Sequence, residues 1–187
     1  MGARRQAGRS AASARQALAR AREAESGRSV RGCNFRERKK GGFAIGPTRR
    51  GKGTKIVAIA AGNGLPLAVT VESASPAECR LVEAVLAGCF LDELPERLIG
   101  DKAYDSDPLD RTLAEGYGIE MIAPNRSNRG KTQDARSLRR YKRRWKVERL
   151  FAWMHNFRRL VTRWEFHVEN FLGFVQLACV VMLLRHL

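Results

Sequence analysis

The chain has 187 residues, enough for one domain with a sizeable core and a short appendage. Its 35 Lys and Arg against 19 Asp and Glu leave a formal net charge of +16, which directs attention to polyanions, either nucleic acid or an anionic membrane surface. A hydrophobic content of 44% excludes a wholly disordered basic tail.

Residues 1–31 are rich in Ala, Arg, Ser and Gly, with Leu18 and Val30 the only large aliphatics besides Met1. They predict a disordered basic N-terminal arm able to touch phosphates without sequence preference, or equally a non-native leader. The remainder, 32–187, is expected to form one domain. Arg36–Lys55 is a basic, glycine-rich loop or hairpin. Its Gly46-x4-Gly51-Lys52-Gly53 lacks the Ser or Thr and the following helix of a phosphate-binding loop, so no nucleotide is expected; Lys52 is a candidate contact for a nucleic-acid backbone.

Lys55–Ala61 and Pro66–Ser73 read as strands joined through the turn Gly62-Asn63-Gly64, an antiparallel hairpin. Ser75-Pro76-Ala77-Glu78 has the form of a capping box and predicts a helix over Pro76–Gly88. Arg97–Asp101 is a short apolar strand ending in an acid. Pro108 opens a helix closed by Gly116 and Gly118, and Ile119–Ala123 is a further strand. This βαβ pattern sets Asp101 at a strand's carboxyl edge, where ligands bind in α/β sheets. The loop Asn125–Ser137 offers Arg126, Arg129, Lys131 and Arg136 to a passing DNA strand.

A helix over Arg140–Leu160 has Val147, Leu150, Phe151, Met154, Phe157 and Val161 on one apolar face. Beside it runs a stripe of Tyr141, Arg144, Glu148, His155 and Arg159, one carboxylate among phosphate-binding groups. The alternative for Glu148 is an i,i+4 pair with Arg144 on a solvated face, and for Asp101 a strand-end acid capping the next turn. Trp145 and Trp153 are expected to pack against neighbouring helices, with base stacking as the alternative. The last helix, His167–Leu187, is apolar on most sides and expected to be packed rather than displayed. Its run Phe171–Leu184, interrupted by Gln176, is short of the ~20 residues of a bilayer span, so no membrane is expected. Cys33, Cys79, Cys89 and Cys179 follow no ligand spacing and read as reduced thiols of a cytoplasmic protein, with no zinc site.

The spacing Tyr141-x2-Arg144-x3-Glu148 within RYKRRWKVERLFAWMHNFRRL resembles the Y-R-E signature of bacterial insertion-sequence DDE transposases. The upstream GDKAYDSD, Gly100–Asp107, is similar to their segment bearing the second catalytic aspartate. The likeness runs from about Phe35 to Leu187, through KKGG, GKGTK, GLPLAV, SASPAE and ENFLGF.

The resemblance implies an α/β fold, a ribonuclease-H-like mixed sheet with flanking helices and further C-terminal helices. It also implies DNA cleavage and joining with two Mg²⁺ or Mn²⁺ ions, the element ends and target DNA as partners, and a possible homo-oligomer associated with the nucleoid when DNA-bound. Asp101 and Glu148 then correspond to the second and third metal-binding catalytic acids. Tyr141, Arg144, His155, Arg158, Arg159, Lys52 and Lys131 are the expected DNA and phosphate contacts, His155 standing where the family commonly has Lys or Arg. The family's first aspartate falls at Gly32 in Gly32-Cys33-Asn34-Phe35. Glu37, two residues past Phe35, would face elsewhere on a strand unless a bulge re-aims it. A decayed or truncated copy is expected, the alternatives being a non-catalytic DNA-binding remnant or, on charge alone, an RNA-binding protein.

Overall fold

In the computed structural model, which describes residues 28–37, 42–49, 51–90, 94–127, 129 and 141–186, a six-stranded sheet forms the middle layer. Strand β1 (Arg28–Glu37) runs antiparallel to β3 (Gly51–Ala61), from Ser29 opposite Ala61 to Glu37 opposite Gly53. The short β2 (Gly46–Thr48) and the longer β4 (Pro66–Ser73) pair with the other edge of β3, both antiparallel. On the far side of β1, β5 (Arg97–Ile99) and then β6 (Glu120–Ile122) continue the sheet in parallel. Strand β1 starts at Arg28, so four residues of the expected arm belong to the sheet; 1–27 lie outside the described residues.

The run Ile56–Ala61, IVAIAA, is apolar throughout because β3 is covered on both faces. Successive side chains alternate sides. Val57 and Ile59 face a layer built from Val82, Val85, Leu86, Leu109 and Leu113. Ile56, Ala58 and Ala60 face Val147, Leu150, Phe151, Met154, Phe171, Val175 and Met182. The first layer carries α1 (Val82–Ala87) and α2 (Asp107–Tyr117); the second carries α3 (Trp145–His155), the single-turn α4 (Arg158–Val161) and α5 (Val168–Leu184).

The β3–β4 hairpin closes as expected at Gly62-Asn63-Gly64: Asn63 Oδ1 accepts from Leu65 N at 3.0 Å, and Gly64 adopts φ +89°, which a Cβ would strain. The parallel β5–α2–β6 unit is likewise present, α2 ending on Gly118 at φ +65°.

Three expectations about helices are corrected. Pro76–Gly88 is not one helix but a 3-10 turn, Glu78–Leu81, leading into α1, with no side-chain cap on either; the Ser75 hydroxyl is turned instead to the Pro47 carbonyl, 3.5 Å away. Arg140–Leu160 breaks after His155, because Phe157 is extended (φ −90°, ψ 101°) and begins α4; His-Asn-Phe are weak helix formers. Val161 is consequently exposed rather than on the buried face, and Leu160 is buried instead. Helix α5 is packed along Phe171, Val175, Cys179 and Met182 but displays Leu177, Val180 and Leu184. Among the described residues no helix is long and apolar enough to cross a membrane.

Candidate active site

The face of the sheet beneath α3 brings together the segments that carry the predicted acids. Strand β1 pairs with β5 as far as Val30 opposite Ile99. Gly32 follows two residues after Val30 and Asp101 two residues after Ile99, so both stand just beyond the last pair of the two parallel strands. Gly32 lies opposite Ala58 of β3, and both Ala58 and Ile99 belong to the core layer against Val147 and Leu150 of α3. By the two-residue alternation, Gly32 and Asp101 therefore share the face that α3 covers.

Asp101 is half-buried and extended (φ −83°, ψ −176°). Its Oδ1 accepts from Ala103 N at 2.8 Å, capping the 3-10 turn Lys102–Tyr104. That turn is pinned from below by Tyr104, fully buried, whose hydroxyl lies 3.3 Å from Cys33 Sγ on β1. It is clamped from outside by Arg126, whose guanidinium donates to the Lys102 and Ala103 carbonyls at 3.1 and 3.0 Å. The buried Asp105 accepts from Arg126 N at 2.7 Å and pairs with Arg129 Nε at 3.1 Å, while Arg129 also reaches Asp107 at 2.9 Å. Arg126 and Arg129, expected as DNA contacts, instead brace the turn behind Asp101. Lys131 and Arg136 lie outside the described residues.

Glu148 stands in the first turn of α3, exposed, and Arg144 Nη2 meets its Oε1 at 2.8 Å. The i,i+4 pair foreseen as the alternative for Glu148 is thus formed, just as Asp101 makes its local cap. The Arg144 guanidinium also lies 5.5 Å from the Tyr141 ring centre. The 3-10 turn Lys142–Arg144 and α3 both pack on β1, which keeps Glu148 on the same side of the sheet as Gly32 and Asp101. His155 and Arg158 are exposed beyond it. Arg159 pairs with Glu165 at 3.3 Å and lies over Phe174. Lys52 is exposed at the β2–β3 hairpin, opposite Pro47. The β1–β3 register runs unbroken from Ser29 to Glu37, so Glu37, an odd number of residues from Gly32, faces the other side of the sheet.

Trp153 is half-buried against the core, whereas Trp145 is 50% exposed. Arg149 fills the space between them, its guanidinium 4.7 Å from the Trp145 ring centre and 5.0 Å from that of Trp153, and donates to the Asn63 carbonyl of the hairpin turn. The sequence reading missed this arginine, the Asp105 brace and the buried Arg163. Only Arg149 carried a signal, its position four residues after one tryptophan and four before another.

The donor set decides which ion the face can hold. Divalent Mg²⁺ and Mn²⁺ require oxygen ligands, and two such ions side by side require carboxylates that bridge them. Among the described residues no three His, Cys, Asp or Glu side chains form a metal-holding group. Gly32 supplies no ligand, and Glu148 is engaged by Arg144. The described residues alone fall short of a two-ion centre.

The sequence profile of the transposase DDE domain matches residues 27–183. The protein named as transposase of insertion sequence element IS402 from Burkholderia cepacia is 32% identical over 146 residues, 73% of this chain and 65% of that protein; this chain thus spans about two thirds of its length. The protein named as transposase of insertion sequence element IS6501 from Brucella ovis is 30% identical over 135 residues, 71% of this chain and 98% of that protein. Among solved structures, piggyBac transposase in a synaptic complex with hairpin DNA is 15% identical, with a TM-score of 0.41 over 59% of this chain and 25% of that one. The catalytic core domain of BIV integrase is 16% identical, with a TM-score of 0.34 over 71% of this chain and 74% of that one. With the profile covering the sheet from its first strand to its last helix, and with both insertion-sequence relatives aligned over most of the chain, this protein belongs to the DDE transposases of bacterial insertion sequences.

Proposed function

We propose that the chain acts in DNA transposition as a ribonuclease-H-like catalytic domain, with Asp101 and Glu148 as two acids of a three-carboxylate centre whose first position is occupied by Gly32. The observation that supports this reading is the parallel pairing of β1 and β5 up to Val30 and Ile99, each two residues before Gly32 and Asp101, together with the packing of the helix of Glu148 on β1. A carboxylate at 32 would complete a set of oxygen donors for Mg²⁺ or Mn²⁺, and a glycine leaves that set incomplete. Tyr141, Arg144, His155, Arg158, Arg159, Lys52 and Lys131 are the proposed contacts to DNA phosphates at the element ends and target. Arginine suits this role because its planar fork matches phosphate oxygens two at a time. The protein then works in the cytoplasm, on the nucleoid when DNA-bound.

Cleavage of nicked and intact terminal-repeat DNA, assayed with Mg²⁺ or Mn²⁺, tests the assignment. The expected result is little or no cutting by the natural chain, metal-dependent cutting by Gly32→Asp, and its loss when Asp101→Ala or Glu148→Ala is added. Strong cutting by the natural chain, undiminished by either alanine, would refute the roles given to these acids.

A second reading is a non-catalytic DNA-binding remnant of a transposase, favoured by the pairing of Glu148 with Arg144. It predicts binding that weakens linearly in log salt and continued silence of Gly32→Asp.

A further inference from the structure

At the other end of β1 from Arg28, three aromatic rings stand in solvent on a rigid mount. Phe43 is 61% exposed and Phe166 54%, with His167 beside them, also exposed. The Phe43 and Phe166 rings meet edge to face at 5.6 Å, Phe166 and His167 at 5.3 Å, and Phe43 and His167 lie nearly parallel at 6.1 Å. The mount is Arg163, which is fully buried. Its guanidinium donates to Thr54 Oγ1 at 2.6 Å, to the Ala44 carbonyl at 3.4 Å, and to the Glu165 and Phe166 carbonyls at 3.1 Å each. Its backbone N–H donates to the Glu37 carbonyl at 3.1 Å. One cation thus ties the loop of Phe43 and the loop of Phe166 to β1 and β3. A buried arginine costs much desolvation unless its donors are satisfied, and here that expense holds apolar rings outside the core.

We infer that the Phe43–Phe166–His167 cluster is a stacking surface for an unpaired base of DNA. Exposed, fixed aromatic faces on a strongly basic protein are what base stacking requires. Arg158 and Arg159 precede the cluster in sequence and are exposed, and Lys52 lies two residues along β3 from Thr54. The net charge of +16 opposes a second copy on the same face. The base stacks on the outer side of Phe43 and does not enter between Phe43 and His167, because their 6.1 Å separation is less than two base steps, about 6.8 Å. Five residues of β1 separate Gly32 from Glu37, roughly 17 Å at strand rise, so the base contacted lies a few nucleotides from the candidate site. The cluster is independent of the acids but rests on the DNA-binding part of the proposed function.

The test compares affinities of the full chain for a single-stranded oligonucleotide and for a blunt duplex of equal length, by fluorescence anisotropy. Phe43→Ala and Phe166→Ala are expected to weaken single-strand binding about 5- to 100-fold with duplex affinity unchanged, and Phe43→Trp to restore it. Both positions are exposed, so thermal melting should show the variants folded. Equal effects on both DNAs, or none, with DNA binding retained, would overturn the inference alone. Loss of self-association in Phe43→Ala, seen by sedimentation with single-strand affinity intact, would overturn it in favour of a protein contact. A natural chain that binds neither DNA would overturn the inference and the DNA-binding reading together.

Discussion

Asp105 and Arg126, 21 residues apart, are joined by a 2.7 Å hydrogen bond from the Arg126 backbone N–H to Asp105 Oδ2, and the Arg126 side chain grips the two carbonyls just ahead of Asp105. With Arg129 on the other carboxylate oxygen, the pair fixes the turn whose first residue is Asp101. Asp105→Ala leaves the Arg126 backbone N–H without its acceptor and takes one of two carboxylates from Arg129, which keeps Asp107, so it should cost about 1–3 kcal/mol in urea unfolding. Asp105→Asn, which keeps an acceptor for the N–H, should cost roughly half as much.

Glu148 and Arg144 form an exposed pair, and such pairs contribute little to stability. Glu148→Gln should change unfolding free energy by less than about 0.5 kcal/mol. In the Gly32→Asp protein the same substitution should abolish metal-dependent cleavage. A large stability loss would show that the acid serves the fold.

Arg163→Met removes four side-chain donations at a fully buried position. It should destabilise by about 3–5 kcal/mol, since Thr54 Oγ1 and the Glu165 carbonyl lose this donor at a buried site, while the Ala44 and Phe166 carbonyls keep the Thr54 hydroxyl and the Phe43 N–H. Arg163→Lys should recover little of this, because a single ammonium cannot span both loops as the guanidinium does. Chemical denaturation of the three proteins checks both statements.

Burial pushes the Cys179 thiol from about 9 up to about 12. In the unfolded chain the thiol ionises near its ordinary value while in the fold it stays neutral. Its stabilising contribution is therefore complete below pH 9 and lost as pH climbs from 9 towards 12. The melting temperature of the natural chain should fall more steeply than that of Cys179→Ala across this window. In the folded protein at pH 8, iodoacetamide should modify the half-buried Cys33, Cys79 and Cys89 ahead of Cys179.

Local signals gave the elements that depend on local physics. The hairpin at Asn63 follows from turn chemistry, and α2 with its left-handed Gly118 from Pro108 and the closing glycines. The capping box failed because Ser75 had a competing acceptor in β2, 28 residues upstream, which no window of sequence contains. The break at Phe157 falls on the weak helix formers His-Asn-Phe, and it brings Leu160 rather than Val161 to the core. At the candidate site, Asp101 and Glu148 were legible as acids in unusual settings, and the absence of an acid at 32 was legible only by resemblance. The assignment of Arg126 and Arg129 to a brace was not legible, because an arginine beside a buried aspartate and one beside a phosphate look alike until the chain is folded.

Arg149, held between Trp145 and Trp153 and bonded to the Asn63 carbonyl, has a mechanical consequence. A Cβ on Gly64 would come 2.5 Å from its Nη2, so the guanidinium lies directly against the backbone of the hairpin tip. Helix α3 therefore cannot slide one turn along the sheet, a shift of about 5.4 Å, without unlatching from the β3–β4 turn. Amide exchange in the hairpin tip and in the first turns of α3 should accordingly slow and quicken together, as one cooperative opening unit, and Arg149→Ala should uncouple the two.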